Sequence, residues 1–294
     1  MLTKQKIDCY IKISLRAFLI PSIVCTLFTI LFLTKESLPF FAEVNIIDFL
    51  FGRSWQPLIE PRSFGVIPLI IGTMHIVIIS ILFALPVGIL TAIYLSEIAS
   101  KKHRKFLKPI LELLAGIPSV VFGYFALITL TPIIRIIFPQ VEAFNSLSAA
   151  IVVGVMILPL ITSLCDDALQ SLPKSIKDAA YALGCTQFEA VFFIQLPAVL
   201  KQISASILLA ISRAIGETMA VTLAAGATPS LHLNPLKSIQ TMTSFIVQVC
   251  LGDASSGTVE YHSCFAVALL LFIITFFFNG LGKLLIRKAN NYDY

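Results

Sequence analysis

Long apolar runs separated by short charged stretches organise this chain, and five of the runs carry no charge at all. Ala17–Thr34 lies between Arg16 and Lys35, and Ser63–Ser96 between Arg62 and Glu97. Leu113–Ile134, Ala143–Cys165 and Tyr261–Gly282 are bounded in the same way by Glu112 and Arg135, Glu142 and Asp166, and Glu260 and Lys283. A helix needs about 20 mostly apolar residues to cross roughly 30 Å of hydrocarbon. The Ser63–Ser96 window exceeds that need, which places its helix at about Gly72–Leu95. A sixth apolar stretch, Gln202–Ala227, is interrupted by Arg213 and Glu217. The pattern predicts an all-α integral membrane protein with six transmembrane helices. The first follows a basic stretch as a secretory signal would, but Lys35-Glu36-Ser37 is no small-residue cleavage site, so an uncleaved anchor is expected.

Composition agrees and removes other classes. The 294 residues are 57% hydrophobic and only 13% charged, with a mean hydropathy of +0.94. Soluble domains carry about 25% charged residues, so there is too little charge here to cover a soluble surface. Disorder requires the opposite composition. The net charge of +5 would suit nucleic acid, but its distribution points elsewhere. Fifteen Lys and Arg fall in the odd-numbered segments, among them Lys101, Lys102, Arg104, Lys105 and Lys108, against five in the alternate loops. That bias places both termini in the cytoplasm. The six cysteines follow no metal pattern; Cys250 and Cys264 share the outer side, where a bridge is feasible. No phosphate-binding glycine loop and no nucleophile elbow is present, so neither a catalytic residue nor a resident metal or cofactor is expected.

The stretch from Asp166 to Lys201 is too long for a mere connector, since helix connections run about 2–8 residues. A first helix is predicted near Ser175–Leu183, stopped by Gly184. A second is predicted near Thr186–Gln195, with Thr186 and Glu189 spaced as a capping box and Pro197 as its end. Phe188, Val191, Phe192 and Phe193 make one side apolar. An interfacial hairpin and a knob inserted into a cytosolic partner both fit this pattern.

The spacing of Asp178-Ala179-Ala180, Gly184 and Ile194-Gln195-Leu196-Pro197 resembles the EAA loop of ATP-binding-cassette importer permeases, with Asp178 in place of the usual Glu. The resemblance implies the type I importer permease (MetI-like) fold. It also implies that Asp178, Ala179, Ala180 and Gly184 contact an ATP-hydrolysing subunit.

Arg213 and Glu217 stand out because a charge near the bilayer centre costs at least about 2.5–3.5 kcal/mol. Four residues apart, they are expected to share a helix face and approach each other, with Ser212 and Thr218 adding polar groups and Gly216 admitting a neighbouring backbone. They would either lock packing as a pair or lower the barrier for an anion crossing the protein. The stretch Arg213-Ala214-Ile215-Gly216-Glu217-Thr218-Met219-Ala220-Val221 resembles the signature of the PstC phosphate permeases. Gly72-Thr73, Ile93-Tyr94-Leu95-Ser96-Glu97, the run Glu112–Val121, Trp55 with Pro57, and Phe272-Ile273-Ile274-Thr275 extend the likeness over about residues 50–285.

This resemblance implies a permease subunit of an ATP-driven phosphate importer, with Arg213, Glu217 and Thr218 on the translocation path. It implies a PstA-like sister permease, two copies of a PstB-like ATP-binding subunit that hydrolyse the ATP, and a PstS-like extracytoplasmic phosphate-binding protein. Location in a prokaryotic inner membrane follows. The division expected is 1–62 for the first span and outer loop, 63–285 for the permease core with its 166–201 coupling loop, and 286–294 for a cytoplasmic tail. Another oxyanion, sulfate or molybdate, is an alternative cargo; a self-contained carrier or channel is the competing class. His75 is expected to be a packed or hydrogen-bonded histidine, and Ser119 is a further candidate for the path.

Overall fold

A computed structural model describes residues 2–255 and 257–290. Of the expected tail, residues 291–294 lie outside the described residues, and 286–290 continue the last helix. Five helices are long and apolar enough to cross a membrane: Phe18–Glu43, Ile67–Ile98, Ser119–Ile137, Ser146–Gln170 and Val259–Leu284. They match five of the six predicted windows. In chain order the elements are α1 (Leu2–Glu43), α2 (Ile46–Phe51), a hairpin of β1 (Trp55–Gln56) and β2 (Ser63–Phe64), α3 (Ile67–Ile98) and α4 (Lys101–Gly116). There follow α5 (Ser119–Ile137), α6 (Ser146–Gln170), α7 (Lys174–Ala182), α8 (Gln187–Ala198) and α9 (Leu200–Ile215). The last three are α10 (Met219–Ala224), α11 (Met242–Gly252) and α12 (Val259–Asn290).

The sixth predicted span, Gln202–Ala227, departs from the expectation. The helix there stops at Ile215 and resumes at Met219, and its other end turns through 69° into α8 at Val199. At 1.5 Å per residue, the 16 residues of α9 reach about 24 Å, short of the roughly 30 Å hydrocarbon core. The span is completed only by its bent or broken neighbours. α8 ends at Ala198, one residue past the stop predicted at Pro197, and the bend follows at Val199.

The central packing is α3 against α6, and small residues make it close. A side chain at Gly88 would meet Ile161, and one at Gly154 would meet Phe83. The Ser80 hydroxyl donates to the Ala150 carbonyl at 2.9 Å, and Thr162 donates to Gly88 at 3.3 Å. In lipid, where tails are as apolar as side chains, such close approach and interhelical hydrogen bonding hold helices together. Around this pair a continuous core takes in Ile157, Ile161, Ile203, Ala210 and Val221.

A second, aromatic core closes the end of the bundle where α3 begins. Phe40, Phe49, Trp55 and Phe245 are fully buried there, with Trp55 edge-on to Phe245 at 4.8 Å. This explains the Trp55 of the motif: the hairpin uses it to fasten α11 below. Gly72 and Thr73 serve the same junction. Any side chain at Gly72 would sit 2.2 Å from the Gln240 carbonyl, and the Thr73 hydroxyl accepts the Met242 N–H at 3.1 Å. α11 itself is a short apolar helix that the charge-free windows did not predict.

Candidate functional site

α9 brings Arg213 to its last turn, three residues before the helix breaks. The side chain is exposed and, among the described residues, has neither an ion-pair nor a hydrogen-bond partner. It lines a cavity of about 270 Å³ between α9, the C-terminal half of α6, and α4. That is near the small end of ligand pockets, which run about 300–1,000 Å³. Lys108, Glu112, Thr162, Ser163 and Asp166 supply its other polar groups, and Leu95, Met156 and Pro159 its apolar wall. Ser119 is not among the lining residues.

Arg213 and Glu217 do not pair, contrary to the expectation from their spacing. The i,i+4 relation holds only within a continuous helix, and Glu217 lies beyond the end of α9. Its carboxylate instead accepts the Ala220 N–H at 3.3 Å, at the start of α10, where negative charge is favourable. Its backbone carbonyl accepts the Thr243 hydroxyl at 2.8 Å, which ties the break to α11. Thr218 folds back, donating to Gly216 at 3.1 Å. Gly216 admits no neighbouring backbone; its nearest atoms are carbonyls of its own helix, 3.7 Å from where a Cβ would stand. Arg213 is thus brought into the cavity, while Glu217 and Thr218 shape the break beside it.

In the sequence Arg104, Lys108 and Asp166 are only charges flanking apolar windows. The structure joins them: Asp166, 1% exposed, accepts from Arg104 at 2.8 Å and faces Lys108 at 3.7 Å, and its Oδ1 is left without a partner. Their positions on α4 are i and i+4, the one signal that could have marked them as acting together. His75 is buried, and its Nδ1 has no partner. The Cys250 and Cys264 thiols are both free.

The predicted helix–Gly–helix is present. α7 ends in a Schellman motif: Gly184 N–H donates to Tyr181 and Cys185 N–H to Ala180, with Gly184 at φ +87. Only glycine takes that conformation without strain, and no neighbour would contact a side chain there, so backbone conformation alone selects the residue. The Thr186–Glu189 capping box forms as predicted. Asp178, Ala179 and Gly184 are exposed, whereas Ala180 is buried. Leu183, Phe188 and Phe193 project with most of their surface uncovered. Large apolar side chains at the tip of a charged loop fit a surface made for a partner.

Residues 84–291 match the family described as the binding-protein-dependent transport system inner membrane component. The chain belongs to this family. Membership makes it a multi-pass membrane permease component of ATP-binding-cassette transporters, which work with ATP-binding subunits and a binding protein. Among curated relatives, a probable ABC transporter permease protein YqgH of Bacillus subtilis is 37% identical over 80% of this chain and 76% of its own length. A phosphate transport system permease protein PstC of Mesorhizobium japonicum is 31% identical over 83% and 79%. The PstC of Xylella fastidiosa is 28% identical over 98% and 93%. In fold, the chain resembles a permease of a bacterial ABC transporter involved in import of the acidic polysaccharide alginate, with a TM-score of 0.63 at 16% identity over 95% and 96% of the two chains. An inward-facing MetNI methionine transporter gives 0.57 at 18% identity, over 76% and 94%. The predicted MetI-like permease fold is therefore the observed one.

Proposed function

We propose that this permease carries inorganic phosphate inward as the PstC-like subunit of an ATP-driven importer. The single observation that carries the reading is Arg213, an arginine with no counter-ion among the described residues, standing in a mostly apolar cavity between α4, α6 and α9. Such a charge attracts an anion and, with carboxylates of Glu112 and Asp166 in the same cavity, does not hold it tightly. A pathway must bind weakly enough to release. The signature around Arg213 and the PstC-named relatives support phosphate as the cargo. The alternative oxyanions remain as test arms, because an arginine reads charge more than identity.

In this reading a PstS-like protein delivers phosphate at the end formed by the hairpin, α11 and the 225–241 loop, and a PstA-like sister completes the pathway. Two PstB-like subunits dock on the exposed faces of α7 and α8, with Asp178, Ala179 and Gly184 at the contact and Ala180 packed behind it. The chain has no ATPase site of its own and needs no resident cofactor. Both termini are cytoplasmic, and the 63–285 core with its 166–201 loop is the transport unit. The experiment is labelled-phosphate uptake in cells deleted for this chain and complemented with wild type, Arg213→Ala or Gly184→Pro, with sulfate and molybdate in parallel. Wild type restores ATP-dependent phosphate uptake; each variant abolishes it at normal membrane abundance. Uptake of phosphate that is indifferent to the chain overturns the cargo, and transport that survives Gly184→Pro overturns the coupling role.

A further inference from the structure

Glu97 ends α3 at the face from which the coupling loop projects, and both halves of that loop hold on to it. The Lys177 ammonium of α7 pairs with the Glu97 carboxylate at 2.5 Å. The Gln187 side chain at the start of α8 donates to the Glu97 backbone carbonyl at 2.9 Å. The carboxylate is 6% exposed and the ammonium 23%, so the pair is largely withdrawn from water. An exposed ion pair contributes little because solvent screens it; a desolvated one is costly to break by removing one partner.

Apolar packing of Val191, Phe192 and Leu196 against the main core seats α8. Without this tie, however, α7 would reach the bundle only along the chain, through the Ser171–Pro173 turn after α6, and α8 meets α9 at a 69° bend. Both are joints about which a short helix can rotate. With it, α7 and α8 are each fastened to one residue of α3, and α3 is locked to α6 through Ser80, Gly88 and Gly154. Leu95 and Met156, which line the Arg213 cavity, lie on those same two helices.

We propose that Glu97 is a positioning residue that makes the coupling loop and the α3–α6 pair one rigid body, so that a push on α7 from the ATP-binding side reaches the cavity rather than dissipating in the loop. The proposal rests on the importer reading above and adds to it the route by which force enters this subunit.

The test uses the complete importer reconstituted in liposomes with its binding protein. Phosphate transported per ATP hydrolysed is measured for Glu97→Lys, Lys177→Glu, the two together, and Glu97→Gln, which keeps the backbone carbonyl that Gln187 holds. Each single variant lowers the ratio about tenfold while assembly and basal ATP hydrolysis stay as in wild type, and the charge-swapped double variant recovers most of it. A single variant that transports like wild type overturns the proposal, as does a double variant no better than the singles. Should the reversals fail to assemble, Glu97→Gln decides by the same ratio.

A second readout does not depend on the cargo. With the native cysteines replaced by Ser, nitroxide labels at Ser175→Cys and Ile98→Cys report the distance between α7 and the end of α3. It stays the same in nucleotide-free and ATP-trapped complexes and broadens in Glu97→Gln. A distance that changes with nucleotide while Glu97 is intact overturns the rigid tie. A wild-type importer that moves no phosphate, yet keeps that distance fixed, overturns the cargo alone.

Discussion

At the scale of single residues, charge placement inside the bundle separates two kinds of ionisable group. Asp166 is buried and compensated, with Arg104 against one oxygen, whereas Arg213 is left uncompensated. The first kind contributes to stability, and in the proposed function the second meets the anion. Asp166→Ala removes the partner of a half-withdrawn arginine. Its cost is on the order of 2 kcal/mol, below the roughly 3–5 kcal/mol of a fully buried pair, because Arg104 keeps 28% of its side-chain exposure. Thermal unfolding of the purified complex measures this, and Arg104→Met combined with Asp166→Leu recovers most of the loss. Arg213→Ala leaves the same unfolding curve unchanged, since no internal partner is orphaned. A marked fall in its melting temperature would show that Arg213 is structural.

At the scale of elements, glycines mark where backbones meet and where a helix must stop, and the two uses give opposite outcomes on substitution. Gly72 holds the place at which the Gln240 carbonyl lies against α3. Gly72→Ala forces α11 away and is expected to cost about 1–3 kcal/mol, the range for overpacking. The loss would be read as reduced membrane abundance and a lowered melting temperature. Gly116, at the end of α4, has nothing near a built Cβ, so Gly116→Ala is expected to be silent in the same assays. The capping box and the glycine stop of the α7–α8 loop were legible from sequence because both are local: each is decided within six residues. Pro197 marks the end of α8 to within one residue, because a proline's effect on the backbone is local too.

The whole molecule presents two differently built ends, one an aromatic cluster and the other a basic helix with a projecting loop. Their orientation is tested, in a variant whose native cysteines are replaced by Ser, by cysteine labelling with a membrane-impermeant thiol reagent on intact cells. Lys237→Cys is expected to react from outside, and Lys101→Cys only after the membrane is opened; the reverse pattern would invert the topology. The sequence by itself determined the membrane class, five spans and the helix–glycine–helix shape of the 166–201 loop. Each of these is encoded in hydropathy, charge count or short-range spacing, which need no knowledge of what packs where. Tertiary structure alone decided that the arginine-bearing span is broken, that Arg213 and Glu217 part company, and that Gly72, Thr73 and Trp55 serve one junction. It alone joined Glu97 to Lys177, eighty residues apart in sequence. Contacts between distant segments depend on which helices become neighbours and where their axes bend, and no periodicity along a single chain records that.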